Sequence, residues 1–92
     1  MQKQLKELLD YYGKDDRLLV VYEELAELTQ AITKYERGLT KFNTNIVEET
    51  AHVLIMIEYL KIIYGFDDLD IKGEINKKLT KLIKYRELYP RS

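Results

Sequence analysis

Apolar residues recur at three- and four-residue steps along most of this chain, and no stretch holds the two-residue alternation of a half-buried strand. The longest series is Leu18, Val21, Tyr22, Leu25, Leu28, Ile32 and Tyr35, which predicts an amphipathic helix with one face toward a core. Asp15 or Asp16 is the expected N-cap of that helix, and Gly38 follows its last periodic residue as a C-terminal stop. A shorter helix is expected before it, from about Gln4 to Tyr12, ended by Gly13. After a polar connection from Gly38 to Thr44, Asn45 reads as an N-cap. Glu48 stands three residues later, as in a capping box, and this third helix runs to Tyr64 before Gly65. A fourth opens with Asp67, Asp68 and Asp70, where acids meet the positive end of a helix dipole. It carries Ile71, Ile75, Leu79, Leu82 and Ile83 and is stopped by Pro90; Gly73 within it costs about 1 kcal/mol against alanine.

The third helix departs from the amphipathic pattern. Its second half (Val53, Leu54, Ile55, Met56, Ile57, Tyr59, Leu60, Ile62, Ile63) is apolar on nearly every side. Such a helix needs neighbours all round, more than three short helices of one chain supply. The expected architecture is therefore all-α and four-helix-bundle-like, one domain over residues 1–92, assembled as a homodimer or tetramer. A chain of 92 residues has room for one small core and not for two.

Charge excludes some functions. Fifteen basic residues stand against sixteen acidic, a net of −1, which leaves no overall footprint for nucleic acid. Cysteine is absent, so disulfides, thiolate metal sites and cysteine nucleophiles drop out together, in keeping with a reducing compartment. No N-terminal stretch has signal-peptide character. The longest apolar run, Val53 to Phe66, is broken by Glu58 and Lys61, so no membrane span and a cytoplasmic location are expected. The charge is unevenly spread: Glu23 to Glu58 holds seven acids and three bases, and Lys72 to the end holds seven bases and two acids. An acidic centre and a basic tail suit a ligand with both a metal and phosphates, or else the two regions neutralise each other across helix contacts.

The chemistry concentrates in the acidic centre. Glu23, Glu24 and Glu27 lie on the second helix and Glu48, Glu49 and His52 on the third, each group inside an apolar segment. Ionised groups are costly to bury unpaired, yet these share faces with core positions. Residues three apart on a helix are about 60° apart around the axis and serve one site. Glu24 with Glu27 and Glu49 with His52 have that spacing. Carboxylates so close repel one another unless something positive lies between them, and a hard divalent cation fills that role. Ordinary ion pairs with neighbouring Lys or Arg are the alternative.

These residues resemble a known family, the MazG-like all-α nucleoside-triphosphate pyrophosphohydrolases, marked by Glu-Glu-x-x-Glu on one helix and Glu-x-x-Asp on the next. Glu23-Glu24-Leu25-Ala26-Glu27 matches the first motif fully, and Glu49-Thr50-Ala51-His52 matches the second except at its last member. The resemblance covers about Leu18 to Gly65, in EELAELTQAITKYERG and EETAHVLIMIEYLKIIYG, and more weakly the basic last helix. It implies a MazG-type fold and hydrolysis of a (deoxy)nucleoside triphosphate to the monophosphate and pyrophosphate. It also implies Glu24, Glu27 and Glu49 as Mg2+ ligands with His52 in place of the family's Asp, and Glu23 or Glu48 as the general base that orients water. Imidazole suits Mn2+ better than Mg2+, so His52 leaves open a Mn2+ preference, a single-metal site or a weakened enzyme.

The supporting residues are less distinctive. Lys77, Lys78, Lys81 and Lys84 crowd the last helix, and Lys34, Arg37 and Lys41 surround the end of the second. Lys77 and Lys81 are the expected triphosphate clamps, with a solvated helix face as the plainer reading. Among eight tyrosines, Tyr35 and Tyr85 are candidates to stack on a base, and Asn76 to bond a sugar or base. Two other functions fit parts of this pattern. Glu49-x-x-His52 is the Glu-x-x-His element of di-iron carboxylate bundles, and a helical nucleotide- or partner-binding module without catalysis fits a site altered at His52.

Overall fold

Each helix starts and stops for a local reason. The computed structural model describes residues 1–91, with α1 Gln2–Tyr12, α2 Lys14–Glu36, α3 Thr44–Tyr64 and α4 Asp68–Leu88, and no strand among them. Gly13 caps α1 through its amide to the Leu9 carbonyl and also begins α2. Asp15 and Asp16 therefore sit in the first turn of α2 as dipole partners rather than as its N-cap. Asn45 is also displaced from its expected role: α3 begins at Thr44 with Asn43 at the N-cap and no side-chain cap. Starting the helix two residues earlier puts Asn45 inside the first turn and frees its amide for other contacts. At the far end, Gly65 adopts φ 71°, and the Gly65 and Phe66 amides both donate to the Lys61 carbonyl at 2.9 and 3.2 Å, a left-handed stop that glycine adopts without Cβ strain. Asp67 and Asp70 then form a reciprocal capping box that opens α4.

Three of the helices pack together. Leu5 of α1, Val21 of α2 and Met56 and Tyr59 of α3 are buried as one cluster, flanked by Leu9, Val20, Leu60, Ile62 and Ile63. Gln2 ties α1 to α3 through a 2.6 Å hydrogen bond to Glu58. α2 and α3 form an antiparallel hairpin, with α1 across one end of it. Eleven residues make α1 about 16 Å long, against about 34 Å for the 23 residues of α2. The other half of the hairpin has no third helix over it.

α4 packs against none of the other three. Its link to the rest is the short turn at Gly65–Asp67 and the 2.7 Å ion pair of Lys61 with Asp68. No residue of α4 is buried, and Ile75, Leu79, Leu82 and Ile83 are all about half exposed. The chain is accordingly elongated, 54 × 37 × 20 Å with a radius of gyration of 17.1 Å, where about 12 Å is usual for a compact chain of this length. The all-α class and the four helices agree with the sequence reading, but a single chain leaves the bundle one helix short. No helix among the described residues is long and apolar enough to cross a membrane.

Candidate metal centre

The α2–α3 hairpin brings the two acidic motifs together. One ligand atom from each of Glu24, Glu27, Glu49 and His52 lies within 4.8 Å of all the others. The two helices run antiparallel, so the i, i+3 pair on each presents its donors to the same gap. His52 Nδ1 is 3.1 Å from Glu24 Oε2 in hydrogen-bond geometry and 3.4 Å from Glu49 Oε2 outside it. That Glu49 oxygen is buried and, among the described residues, is the only buried side-chain polar atom without a hydrogen bond. A desolvated carboxylate oxygen with no donor is costly, and a cation in the gap would satisfy it.

The donors fit such an ion. Three carboxylates and one imidazole suit Mn2+ and related transition ions better than Mg2+, which prefers oxygen throughout. Bond lengths near 2.1 Å put opposite ligands of an octahedral ion about 4.2 Å apart, so the 4.8 Å spread closes with a movement of a few tenths of an ångström. Without an ion, His52 is the one group of the four that can carry positive charge, when its imidazole is protonated. Desolvation opposes its protonation, but the hydrogen bond to Glu24 and the charges of Glu24, Glu49 and Glu48 outweigh that and raise the imidazole pKa above 6.5.

The other expected site residues divide into two groups. Glu23 and Glu48 are exposed and outside the four-donor cluster, though the charge of Glu48 reaches His52. Lys77 and Lys81 lie on α4, which meets neither α2 nor α3, so the single chain does not bring them to the cluster as the clamp reading requires. Lys77 instead pairs with Glu74 at 3.1 Å on an exposed surface. Tyr85 and Asn76 are on the same detached helix, and Tyr85 packs on Tyr89 with ring centroids 4.8 Å apart.

A different cation is near the centre. Glu27 and Glu49 share a cleft of about 230 Å³ with Gln30, Ala31, Lys34 and Asn45. Lys34 lies two helical turns beyond Glu27 on the same side of α2, and with Arg37 it also lines an adjoining cleft of about 330 Å³. Gln30 and Asn45 are amides with both donor and acceptor capacity. Spacing from Glu27 was the available signal for Gln30 and Lys34, at i+3 and i+7. For Asn45 the signal was its place one turn before Glu49, obscured by its resemblance to a cap.

In comparisons with known proteins, no family model, no curated protein and no solved structure matches the chain.

Proposed function

We propose that the chain is a metal-dependent nucleoside-triphosphate pyrophosphohydrolase that cleaves the bond between the α and β phosphates to give the monophosphate and pyrophosphate. The observation that carries this reading is the convergence of Glu24, Glu27, Glu49 and His52 within 4.8 Å around an unsatisfied buried carboxylate oxygen. Motifs on two helices that resemble the MazG-like pair support the same reading.

The four side chains would hold Mn2+ or Mg2+, which supplies Lewis-acid charge to the phosphate oxygens and lowers the pKa of water. Lys34 neutralises charge on the outer phosphates, and Gln30 and Asn45 orient the nucleotide along the cleft. Glu48 or Glu23, both beside the cluster on its two helices, takes the proton from the attacking water. Water adds its oxygen to the α-phosphorus and the bridging oxygen leaves with pyrophosphate. Lys77 and Lys81 have no part in this scheme within one chain.

The test is incubation of the purified protein with canonical and modified triphosphates and Mg2+ or Mn2+, following pyrophosphate. Release with at least one substrate supports the reading; release with none, in protein shown by calorimetry to bind Mn2+, refutes it. A second reading has its own observation. His52 Nδ1 already lies 3.1 Å from Glu24 Oε2, so a nucleotide- or partner-binding module with a metal-free centre would show no Mn2+ binding and no turnover.

A further inference from the structure

We propose that the cleft of about 330 Å³ beside the metal centre receives the terminal phosphate of the substrate, and that Arg37 there selects triphosphates over diphosphates. This rests on the pyrophosphohydrolase reading, which anchors the phosphate chain at Glu24, Glu27, Glu49 and His52.

Two clefts are joined along one face of α2. The cleft of about 230 Å³ that reaches Glu27 and Glu49 shares Gln30 and Lys34 with the larger one, which continues to Arg37. Steps of three and four residues separate Glu27, Gln30, Lys34 and Arg37, so the four stand in one row along the helix. Lys34 is about 10 Å and Arg37 about 15 Å beyond Glu27 along the axis. Cα–Cβ bonds tilt toward a helix's N-terminus, a direction that brings both basic heads back toward the centre. A phosphate chain fixed by an ion at Glu27 and extended along this row meets Lys34 first and Arg37 last.

The larger cleft has the chemistry of an oxyanion subsite. Its lining is Thr29, Gln30, Thr33, Lys34 and Arg37, without a carboxylate. Among the described residues, Lys34 and Arg37 enter no ion pair, unlike Arg17, Lys61 and Lys77. The threonine hydroxyls are already committed. Thr29 Oγ1 donates to the Leu25 carbonyl at 3.1 Å, and Thr33 Oγ1 to the Thr29 carbonyl at 2.8 Å. The donors left to a ligand are thus the Gln30 amide and the two cations, so the cleft reads charge.

Arg37 is suited to read the last phosphate. Its backbone is held in place: the Arg37 amide donates to the Thr33 carbonyl at 3.0 Å. The Gly38 and Leu39 amides then close the end of α2 on the Tyr35 and Lys34 carbonyls at 3.0 and 2.9 Å. Gly38 makes this closure at φ 75°, where a residue with a Cβ would be strained. A guanidinium on so fixed a stem offers a planar fork that matches two phosphate oxygens, whereas the Lys34 ammonium acts as a point charge. A diphosphate anchored at the same ion ends one phosphate short of that fork and keeps only Lys34.

Calorimetry of the full chain distinguishes such a subsite from an ordinary basic surface. With Mn2+ saturating, inorganic tripolyphosphate is expected to bind about tenfold more tightly than pyrophosphate, the worth of one added bond to a charged group. Arg37→Ala is expected to bring that ratio near one, and Arg37→Lys, which keeps the charge but not the fork, to leave part of it. Equal binding of the two probes by the unaltered chain, no binding of tripolyphosphate, or a ratio that survives Arg37→Ala overturns the proposal. So does an equal loss for both probes in Arg37→Ala, the mark of a general loss of positive charge or of folding. Hydrolysis is scored apart from binding. A ratio set by Arg37 without pyrophosphate release from any nucleoside triphosphate discards the hydrolase and keeps the subsite; release with a ratio indifferent to Arg37 does the reverse.

Discussion

The α2–α3 hairpin and α4 are built from the same kind of sequence, an apolar stripe at helical spacing beside dense charge, yet they end in different situations. In the hairpin, the stripes face each other, and the charged residues beside them are drawn into a shared, partly desolvated gap with His52 Nδ1 3.1 Å from Glu24. On α4 the stripe faces nothing in its own chain, and its charges are ordinary surface groups such as the Lys77–Glu74 pair at 3.1 Å. Such an exposed pair is worth little. A charge gains chemical meaning from what its helix packs against, and composition alone does not distinguish the two cases.

That contrast can be broken most sharply at the metal centre. Glu24→Gln and Glu49→Gln keep shape but remove a charge from the ligand set, and each is expected to reduce pyrophosphate release to background with circular dichroism unchanged. The loss should exceed the roughly 10–100-fold that follows loss of an outer-shell partner. Full activity in either variant would remove these residues from the ligand set.

Stability separates the two regions next. Tyr59 is 2% exposed at the centre of the cluster, and Tyr59→Ala should cost about 3–4 kcal/mol in urea unfolding. Leu79→Ala, measured at a concentration low enough for single chains, should cost less than about 1 kcal/mol, since Leu79 is 50% exposed. Equal costs would mean that α4 is packed within its own chain.

Much of the fold was legible. Glycines at 13, 38 and 65 and the acids at 67–70 marked helix ends because their backbone and dipole roles are local. Asn45 misled because Asn-x-x-Glu looks like a capping box wherever it occurs, and only the actual start of α3 at Thr44 shows that its side chain is free for the cleft. The four donors could be read from i, i+3 spacing on two adjacent helices, a local property. The position of Lys77 and Lys81 relative to the cluster was not legible, because it depends on where α4 sits and so on contacts between helices far apart in sequence. Lys34 was the more legible neighbour of the cluster: it shares a helix with Glu27, so its distance from the centre is set by helix geometry alone.

Kinetics can sharpen that last point. Lys34→Ala should raise KM about tenfold, the effect of losing one charge-assisted contact, and more than Lys77→Ala does. The reverse order would return the clamp to α4.

The smallest expected effect is a titration. In metal-free protein, the His52 resonances should titrate above 6.5, and Glu24→Gln should bring the midpoint down. Because the folded-state pKa is raised, the His52–Glu24 contact contributes fully to stability below about pH 6.5 and is lost as pH rises through the folded value. Mn2+ affinity should move the opposite way, increasing over that interval as the imidazolium gives up its proton. A midpoint at or below 6.5 would contradict the geometry at Glu24.

All four donors lie between residues 24 and 52, on two helices joined by a turn of a few residues. A cation gripped there would act as a clasp across the hairpin, and loading it would raise the melting temperature with the logarithm of its concentration over the dissociation constant. The centre would then be a fastening as well as a place for chemistry, with ion supply deciding how long the hairpin stays shut.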